Sequence, residues 1–310
     1  MRVKVLGSGA GGGFPQWNCG CSNCNRLRTG NLRGTPRTQT QLAFSVDSKE
    51  WFLLNASPDL RTQILATPEL APPGGSRRSP IAAVFLPSAD VDSVMGLLHL
   101  REFTPFRIFA TPSVQQILRE ENSIFRVLDR ATPRVQWSDF SMQPQWDSPT
   151  VGHSPGGSSF RYSVIPLGGT YPDYVKDSLR GNLSAKEAVV GLVVVHDGKR
   201  LFFAPSLSGQ NQEWKKLAES CDLVFLDGTF WSDDELMRAT GSGKTARAIG
   251  HLPLSGADGL LQQFSGAGRV RRVLIHINNT NPILDEESAE YRQVREMGWE
   301  IALDGMEFVL

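Results

Sequence analysis

Apolar residues along this chain fall in short, closely spaced runs rather than in long amphipathic stretches. RVKVLG (residues 2–7), TQLAFSV (40–46) and WFLLNA (51–56) open the pattern, with the turn-like DSKE between the last two. IAAVFL (81–86) and FRIFAT (106–111) follow. Later come FRYSVIPL (160–167), VVGLVVVHD (189–197), KRLFFAP (199–205), DLVFLDGTF (222–230), RVLIHIN (272–278) and EIALDGMEFVL (300–310). Their β-branched and aromatic content predicts strands, and residues 40–56 predict a hairpin. Helical spacing recurs between them at 93–102, 113–120, 211–220, 232–240 and 288–298, and at 255–266 with Ser255 as the expected cap. A hairpin-rich first half and a second half alternating strand and helix predict two mostly β-sheets with helices on their outer faces.

No repeat of fixed period is present. Residues 142–160, rich in Pro, Gly and Ser, read as a long loop or cover over a site. The strand pattern resumes beyond them in the same style, so residues 1–310 are expected to form a single domain. Apolar residues at 40% and charged residues at 21% place the chain in the globular class. With 32 basic and 32 acidic side chains the formal net charge is zero, which argues against nucleic-acid binding through bulk charge. No run approaches the ~20 apolar residues of a membrane span, and the N-terminus lacks a signal-peptide pattern. The expectation is a cytoplasmic protein that does not insert into membranes. In a reducing compartment, clustered cysteines point to metal or redox chemistry rather than a disulfide framework.

Three of the four cysteines, Cys19, Cys21 and Cys24, form a C-x-C-x2-C cluster. Thiolates suit Zn²⁺, whose structural sites take four ligands, so three corners are supplied and a fourth must come from elsewhere. Free thiols without metal and a redox pair are the alternatives. Cys221 reads as an ordinary buried residue. The glycines from Gly7 to Gly13 lead into Pro15 and the cysteines without opening a helix, which favours a tight turn packed near a site over a phosphate loop. Asp90 and Asp92 lie between a strand end and a helix start, placed to hold a metal or to cap the helix. His276 ends a buried strand and is followed by Asn278, Asn279, Thr280 and Asn281. His251 precedes a helix, and Asp227 ends another strand. His99, His153 and His196 lack such settings and read as structural or surface residues.

These pieces, in this order, resemble the metallo-β-lactamase superfamily. VLGSGAGGGFPQWNCGCSNC, NASPDLR, GLLHLRE, LDGTFWSDDEL, GHLPLSG, HINNTNPILDEES and DGMEF resemble its pyrroloquinoline quinone (PQQ) synthesis branch, the PqqB family, over nearly the whole chain. The resemblance implies an α/β fold, the αββα four-layer sandwich, and a role in making PQQ. The implied chemistry is non-haem, iron-dependent hydroxylation of the tyrosine-derived ring of a cross-linked Glu–Tyr precursor. The alternative is a carrier that binds PQQ or its peptide-derived precursor without catalysis. Other PQQ synthesis proteins are implied as partners.

Hydrolases of the superfamily use H-x-H-x-D-H, and the equivalent positions here run from Ser88 through Asp90 and Asp92 to Ser93. Only Asp92 survives, and Ser93 replaces a histidine common in the family. FAPSLSG carries no bridging acid. A dinuclear zinc hydrolase is therefore not expected. The resemblance implies a structural Zn²⁺ on Cys19, Cys21 and Cys24; Asn279 stands where the related phosphodiesterases place a histidine as fourth ligand, so Asn279, water or another nearby side chain is expected to complete the tetrahedron. The resemblance also implies Fe²⁺ at a second site on Asp92 and His276, with His251 as catalytic partner and nearby proton donor. Asp227, Asn278 and Asn281 are the expected substrate contacts.

Overall fold

A computed structural model describes the chain except residues 103, 132–134, 141–158, 210–211, 242 and 265–267. His153 and most of the 142–160 segment thus lie outside the described residues. Thirteen strands are described: β1 (Arg2–Gly7), β2 (Gln41–Ser45), β3 (Trp51–Leu54), β4 (Ile81–Phe85), β5 (Phe106–Ala110), β6 (Val135–Asp139), β7 (Arg161–Pro166), β8 (Val190–His196), β9 (Lys199–Ala204), β10 (Leu223–Asp227), β11 (Arg271–Ile275), β12 (Glu300–Ile301) and β13 (Glu307–Val309). They form a seven-stranded sheet in the order β13-β1-β2-β3-β4-β5-β6 and a six-stranded sheet in the order β12-β11-β10-β9-β8-β7.

Both faces of each sheet are covered, which is why so many strands read as unbroken apolar runs. Alternate residues of one strand enter different cores. Leu42 and Phe44 of β2, with Phe52 and Leu54 of β3, face the second sheet in one cluster. Ala43 and Leu53 point the other way, into a cluster shared with helical residues such as Leu60, Val114, Trp214 and Val294. Phe160 crosses between the sheets and meets Phe44 and Phe52 edge-on at 5.0 and 4.7 Å. Phe308 of β13 likewise meets Phe225 of β10 at 5.2 Å. The result is helices, sheet, sheet, helices, as expected.

Several local expectations are corrected. Residues 300–310 do not form one strand: β12 closes one sheet and β13 the other, with the turn at Gly305 (φ +89°) between them. β6 was not anticipated, because its exposed positions dilute the apolar signal. The 93–102 stretch is a short helix, Val91–Val94, followed by a 3-10 turn, Met95–Leu100. Gly96 there packs so tightly on the backbone of Ala56 and Ser57 that a Cβ would lie 2.2 Å from the Ser57 carbonyl. At 255–266 the described helix is only Leu260–Gln263, capped by Gly259, and the Ser255 hydroxyl instead donates to the Trp231 carbonyl. The cysteine loop contains a helix of its own, Ser22–Arg28, which carries Cys24.

Candidate functional site

The C-terminal ends of β1, β4, β9, β10 and β11 converge on one edge of the sandwich. The loops leaving them line a cavity of about 670 Å³ that holds Gly11, Asp90, Asp92, Thr229, His251, His276 and Asn278. A cavity of this size suits a small organic ligand. His276 closes β11 in a left-handed backbone conformation (φ +62°), an uncommon one for a residue with a side chain. Ile277 then pairs with the loop after β1, its N–H donating to the Ser8 carbonyl at 3.0 Å and its own carbonyl accepting from Ala10 at 2.9 Å. The glycine run is therefore packed against the site, and a Cβ on Gly11 would stand 3.5 Å from Asp92 Oδ2.

Asp92 and His276, 184 positions apart, meet with Oδ2 and Nε2 separated by 2.9 Å. Donors on adjacent corners of a metal with bonds of about 2.1 Å stand about 3.0 Å apart, so this pair fits two neighbouring ligands of one ion. Burial opposes charge on both groups. Their mutual hydrogen bond and attraction prevail, holding the His276 imidazole above its ordinary value and the Asp92 carboxyl below its own. Asp90 goes the other way: burial, and then repulsion from Asp92, push its carboxyl up. The Ser88 hydroxyl donates to Asp90 at 2.7 Å and lies 3.4 Å from the buried Ser93 hydroxyl. Where the hydrolases have three imidazoles, this corner offers two hydroxyls and a carboxyl.

His251 stacks on His276 with ring centroids 5.3 Å apart and planes 20° from parallel. Its Nδ1 lies 2.9 Å from Asp227 Oδ2. His251 thus lies beside His276 on the cavity wall.

Asp227 and Asn281, expected to contact substrate, are corrected by burial, since neither is exposed at all. Asp227 accepts from the N–H of Leu207 and of Thr229, from the Thr229 hydroxyl and from His251. The attraction of the two imidazoles and these hydrogen bonds outweigh burial and hold its carboxyl below the ordinary range. Asp227, His251 and His276 do bring one donor atom each within 4.8 Å of one another. Four donors already fill the carboxylate of Asp227, so the group is a hydrogen-bond hub. The Asn281 amide bridges the Gly228 and Thr229 carbonyls and caps the 3-10 turn Pro282–Leu284 through Ile283 N–H at 3.1 Å. Asn278 alone of the three lines the cavity, its amide donating to Thr280 Oγ1 at 2.6 Å. Thr229 joins both rings and was not singled out in sequence; a D-x-T pattern leaving a buried strand is its only signal. His99 is exposed, and His196 bonds the Ser159 carbonyl at 3.0 Å, both away from the cavity.

Nearby, Cys19, Cys21 and Cys24 bring their sulfurs within 4.8 Å of one another. The Arg28 guanidinium holds the loop by donating to the carbonyls of Cys19 and Gln16. Asn23 ties it to the distant segment through the carbonyls of Asn279 and Asn281, at 3.2 and 2.9 Å. Asn279 Nδ2 lies 3.0, 3.5 and 3.3 Å from the three sulfurs. In a zinc tetrahedron with Zn–S near 2.3 Å and Zn–O near 2.0 Å, an oxygen ligand lies about 3.5 Å from each sulfur. A half-turn of the amide, which exchanges O and N, sets Asn279 Oδ1 at that corner. The donor set therefore fits zinc. Without a metal, burial pushes the Cys21 thiol up to about 11. At Cys19 burial is outweighed by donors led by the Cys21 N–H, and the thiol is lowered. Cys221 is buried elsewhere, against the Leu217 carbonyl, and burial lifts its thiol to about 12.

Residues 50–277 match the β-lactamase superfamily domain. The whole chain is 41% identical to the whole coenzyme PQQ synthesis protein B of Nitrosococcus oceani, and 39% identical to that of Methylococcus capsulatus, again over both full lengths. Among solved structures, Zn²⁺-bound PqqB from Methylobacterium extorquens matches over the full length of both chains with a TM-score of 0.89 and 39% identity. A diphosphatase of the PhnP family covers all of this chain, and 97% of its own is covered, with a TM-score of 0.62 and 15% identity, a likeness of fold alone.

Proposed function

The chain belongs to the coenzyme PQQ synthesis protein B family of the β-lactamase superfamily, and on that premise we propose that it acts in PQQ synthesis as an iron-dependent hydroxylase of the tyrosine-derived ring of a Glu–Tyr precursor. The observation that carries the reading is the meeting of Asp92 and His276 at 2.9 Å on the wall of a cavity of about 670 Å³, with hydroxyls replacing the hydrolytic ligands. Asp92 Oδ2 and His276 Nε2 would hold the iron, with Asp90 as the neighbouring oxygen donor. This one-imidazole set departs from the two-histidine, one-carboxylate pattern of many non-haem iron oxygenases. Iron bound there supplies the activation of dioxygen. Each hydroxylation replaces a ring C–H by C–OH, sends the second oxygen atom to water and consumes two electrons from an added reductant. His251, anchored through Nδ1 to Asp227, turns Nε2 to the cavity, where it takes or returns the phenolic proton. Asn278 offers an amide to a polar group of the substrate. Cys19, Cys21 and Cys24 hold a structural zinc with Asn279 Oδ1 as fourth ligand.

The test is metal content per chain after purification without added metal and anaerobic loading with Fe²⁺, in the unaltered protein and in His276→Ala. The reading expects one zinc in both and one iron only where His276 is present. Oxygen uptake with the cross-linked precursor and a reductant, yielding the ring-hydroxylated product, completes it. One zinc and no iron in the unaltered protein, with tight binding of PQQ or its precursor, overturns the hydroxylase and leaves the carrier.

A further inference from the structure

We propose that Gly11 is a ligand-binding residue: its bare backbone, beside Asp92, is the surface on which the flat aromatic ring of the ligand lies. Among the glycines from Gly7 to Gly13, Gly11 is the one that the fold itself does not require. A Cβ on Gly7 would fall 2.0 Å from the Gln39 carbonyl oxygen, and one on Gly9 would fall 3.3 Å from that of Thr38. Gly12 and Gly13 have positive φ, +91° and +67°, and their Cβ atoms would stand 2.9 Å from the Gln16 side chain and the Arg37 carbonyl oxygen. Gly11 has no positive φ, and the three atoms nearest an added Cβ all belong to Asp92, at 3.5, 3.8 and 3.9 Å, which are ordinary contacts. Alanine would fit, and by restricting the unfolded chain it would favour folding. The space its methyl would take lies in the cavity, because Gly11 is exposed and lines the same wall as Asp92, His251 and His276. A glycine that the backbone does not need is what close approach of a ligand to the main chain calls for. The segment is also held in place. Ala10 N–H donates to the Ile277 carbonyl at 2.9 Å, Gly12 N–H to Gln39 Oε1 at 3.0 Å, and Gly13 N–H to the Ala10 carbonyl at 3.0 Å. Ala10, Gly11 and Gly12 thus give the cavity three successive positions with nothing larger than a methyl. A planar ring can settle on such a patch at van der Waals distance, about 3.5 Å between carbons, with its edge toward Asp92.

The aromatic class of the ligand rests on the PQQ reading above, whether the ring is hydroxylated or only carried. The experiment titrates PQQ, and separately the cross-linked Glu–Tyr precursor, into zinc-loaded full-length protein by calorimetry. The unaltered protein is compared with Gly11→Ala, Gly11→Val and Gly74→Ala, and each is also measured for zinc content and unfolding temperature. Gly11→Ala is expected to keep its zinc and its unfolding temperature but to bind about 10- to 100-fold more weakly, as for one methyl forced into a filled site. Gly11→Val is expected to bind more weakly still. Gly74→Ala, with open space around the new methyl, is expected to bind like the unaltered protein. Gly11→Ala that binds as tightly as the unaltered protein overturns the proposal and leaves the PQQ reading standing. Gly11→Ala that unfolds more than about 5 °C lower also overturns it, because the glycine would then serve the fold. An unaltered protein that binds neither probe overturns the proposal and the PQQ reading together. Binding lost as expected, with no turnover of the precursor by the iron-loaded unaltered protein, upholds the role of Gly11 and overturns only the hydroxylase.

Discussion

Replacing Glu235 by glutamine tests the electrostatics of the wall that holds the His276–Asn281 segment. Glu235 is 6% exposed, and its oxygens accept from Thr280 Oγ1 and Trp231 N, each at 2.5 Å. Burial raises its carboxyl from the ordinary 4.5 to about 7, and those hydrogen bonds offset only part of the rise. In the folded protein the proton leaves near 7, whereas in the unfolded chain it leaves near 4.5. Between these values the folded state binds more protons, so its stability falls as pH rises. At about 1.4 kcal/mol for each tenfold change in proton affinity, the loss from pH 5 to pH 8 is roughly 2 to 3 kcal/mol. Glutamine does not titrate and keeps an acceptor for Trp231. Urea unfolding of both zinc-loaded proteins at the two pH values measures the effect, and subtracting one protein from the other removes every other titrating group. The unaltered protein should lose roughly 2 to 3 kcal/mol more than Glu235→Gln on going to pH 8. Stability curves that run parallel to within about 0.5 kcal/mol would refute the reasoning.

Stripping zinc with a strong chelator, or making Cys24→Ser, should lower the unfolding temperature. A ligand held a thousandfold above its Kd contributes about 4 kcal/mol, and calorimetry alongside elemental analysis reads both quantities. Gly7→Ala should cost about 3 kcal/mol or more in urea unfolding, because the new Cβ would fall 2.0 Å from the Gln39 carbonyl oxygen; Gly74→Ala, with nothing within 4 Å, should be nearly silent. Asn281→Ala should cost about 2 to 3 kcal/mol by the same measurement, since it removes a cap and leaves the buried carbonyls of Gly228 and Thr229 without that donor.

The strands were legible because burial on both faces writes them as apolar runs, and the cysteine cluster because three thiols so close have few other uses. Asp92 and His276 were legible as polar residues at the ends of buried strands, the edge where this architecture gathers its chemistry. Asp227 and Asn281 carry the same signature and were assigned to substrate. Only the packing distinguishes a polar group that faces the cavity from one that holds the wall from behind. Thr229 was overlooked for the converse reason: threonine is ordinary at a strand end, and its role lies in two imidazoles that arrive 22 and 47 positions later. β12 and β13 merged into one run because their separation depends on which sheet receives each: β12 pairs with the nearby β11, and β13 with β1 at the other end of the chain.

The thiol cluster at Cys19–Cys24 is closed by Asn279, 255 to 260 positions further on. On a ribosome adding roughly 5 to 20 residues per second, the three thiols emerge some ten to fifty seconds before the amide that completes their cage. Throughout that interval the thiols lack the amide that meets all three of them in the folded chain, and exposed thiols are open to oxidation and to other soft metals. Fidelity of metal loading in this fold is then a matter of timing during synthesis as well as of affinity, and slow translation of the last third of the message is the condition under which mis-metallated protein should accumulate.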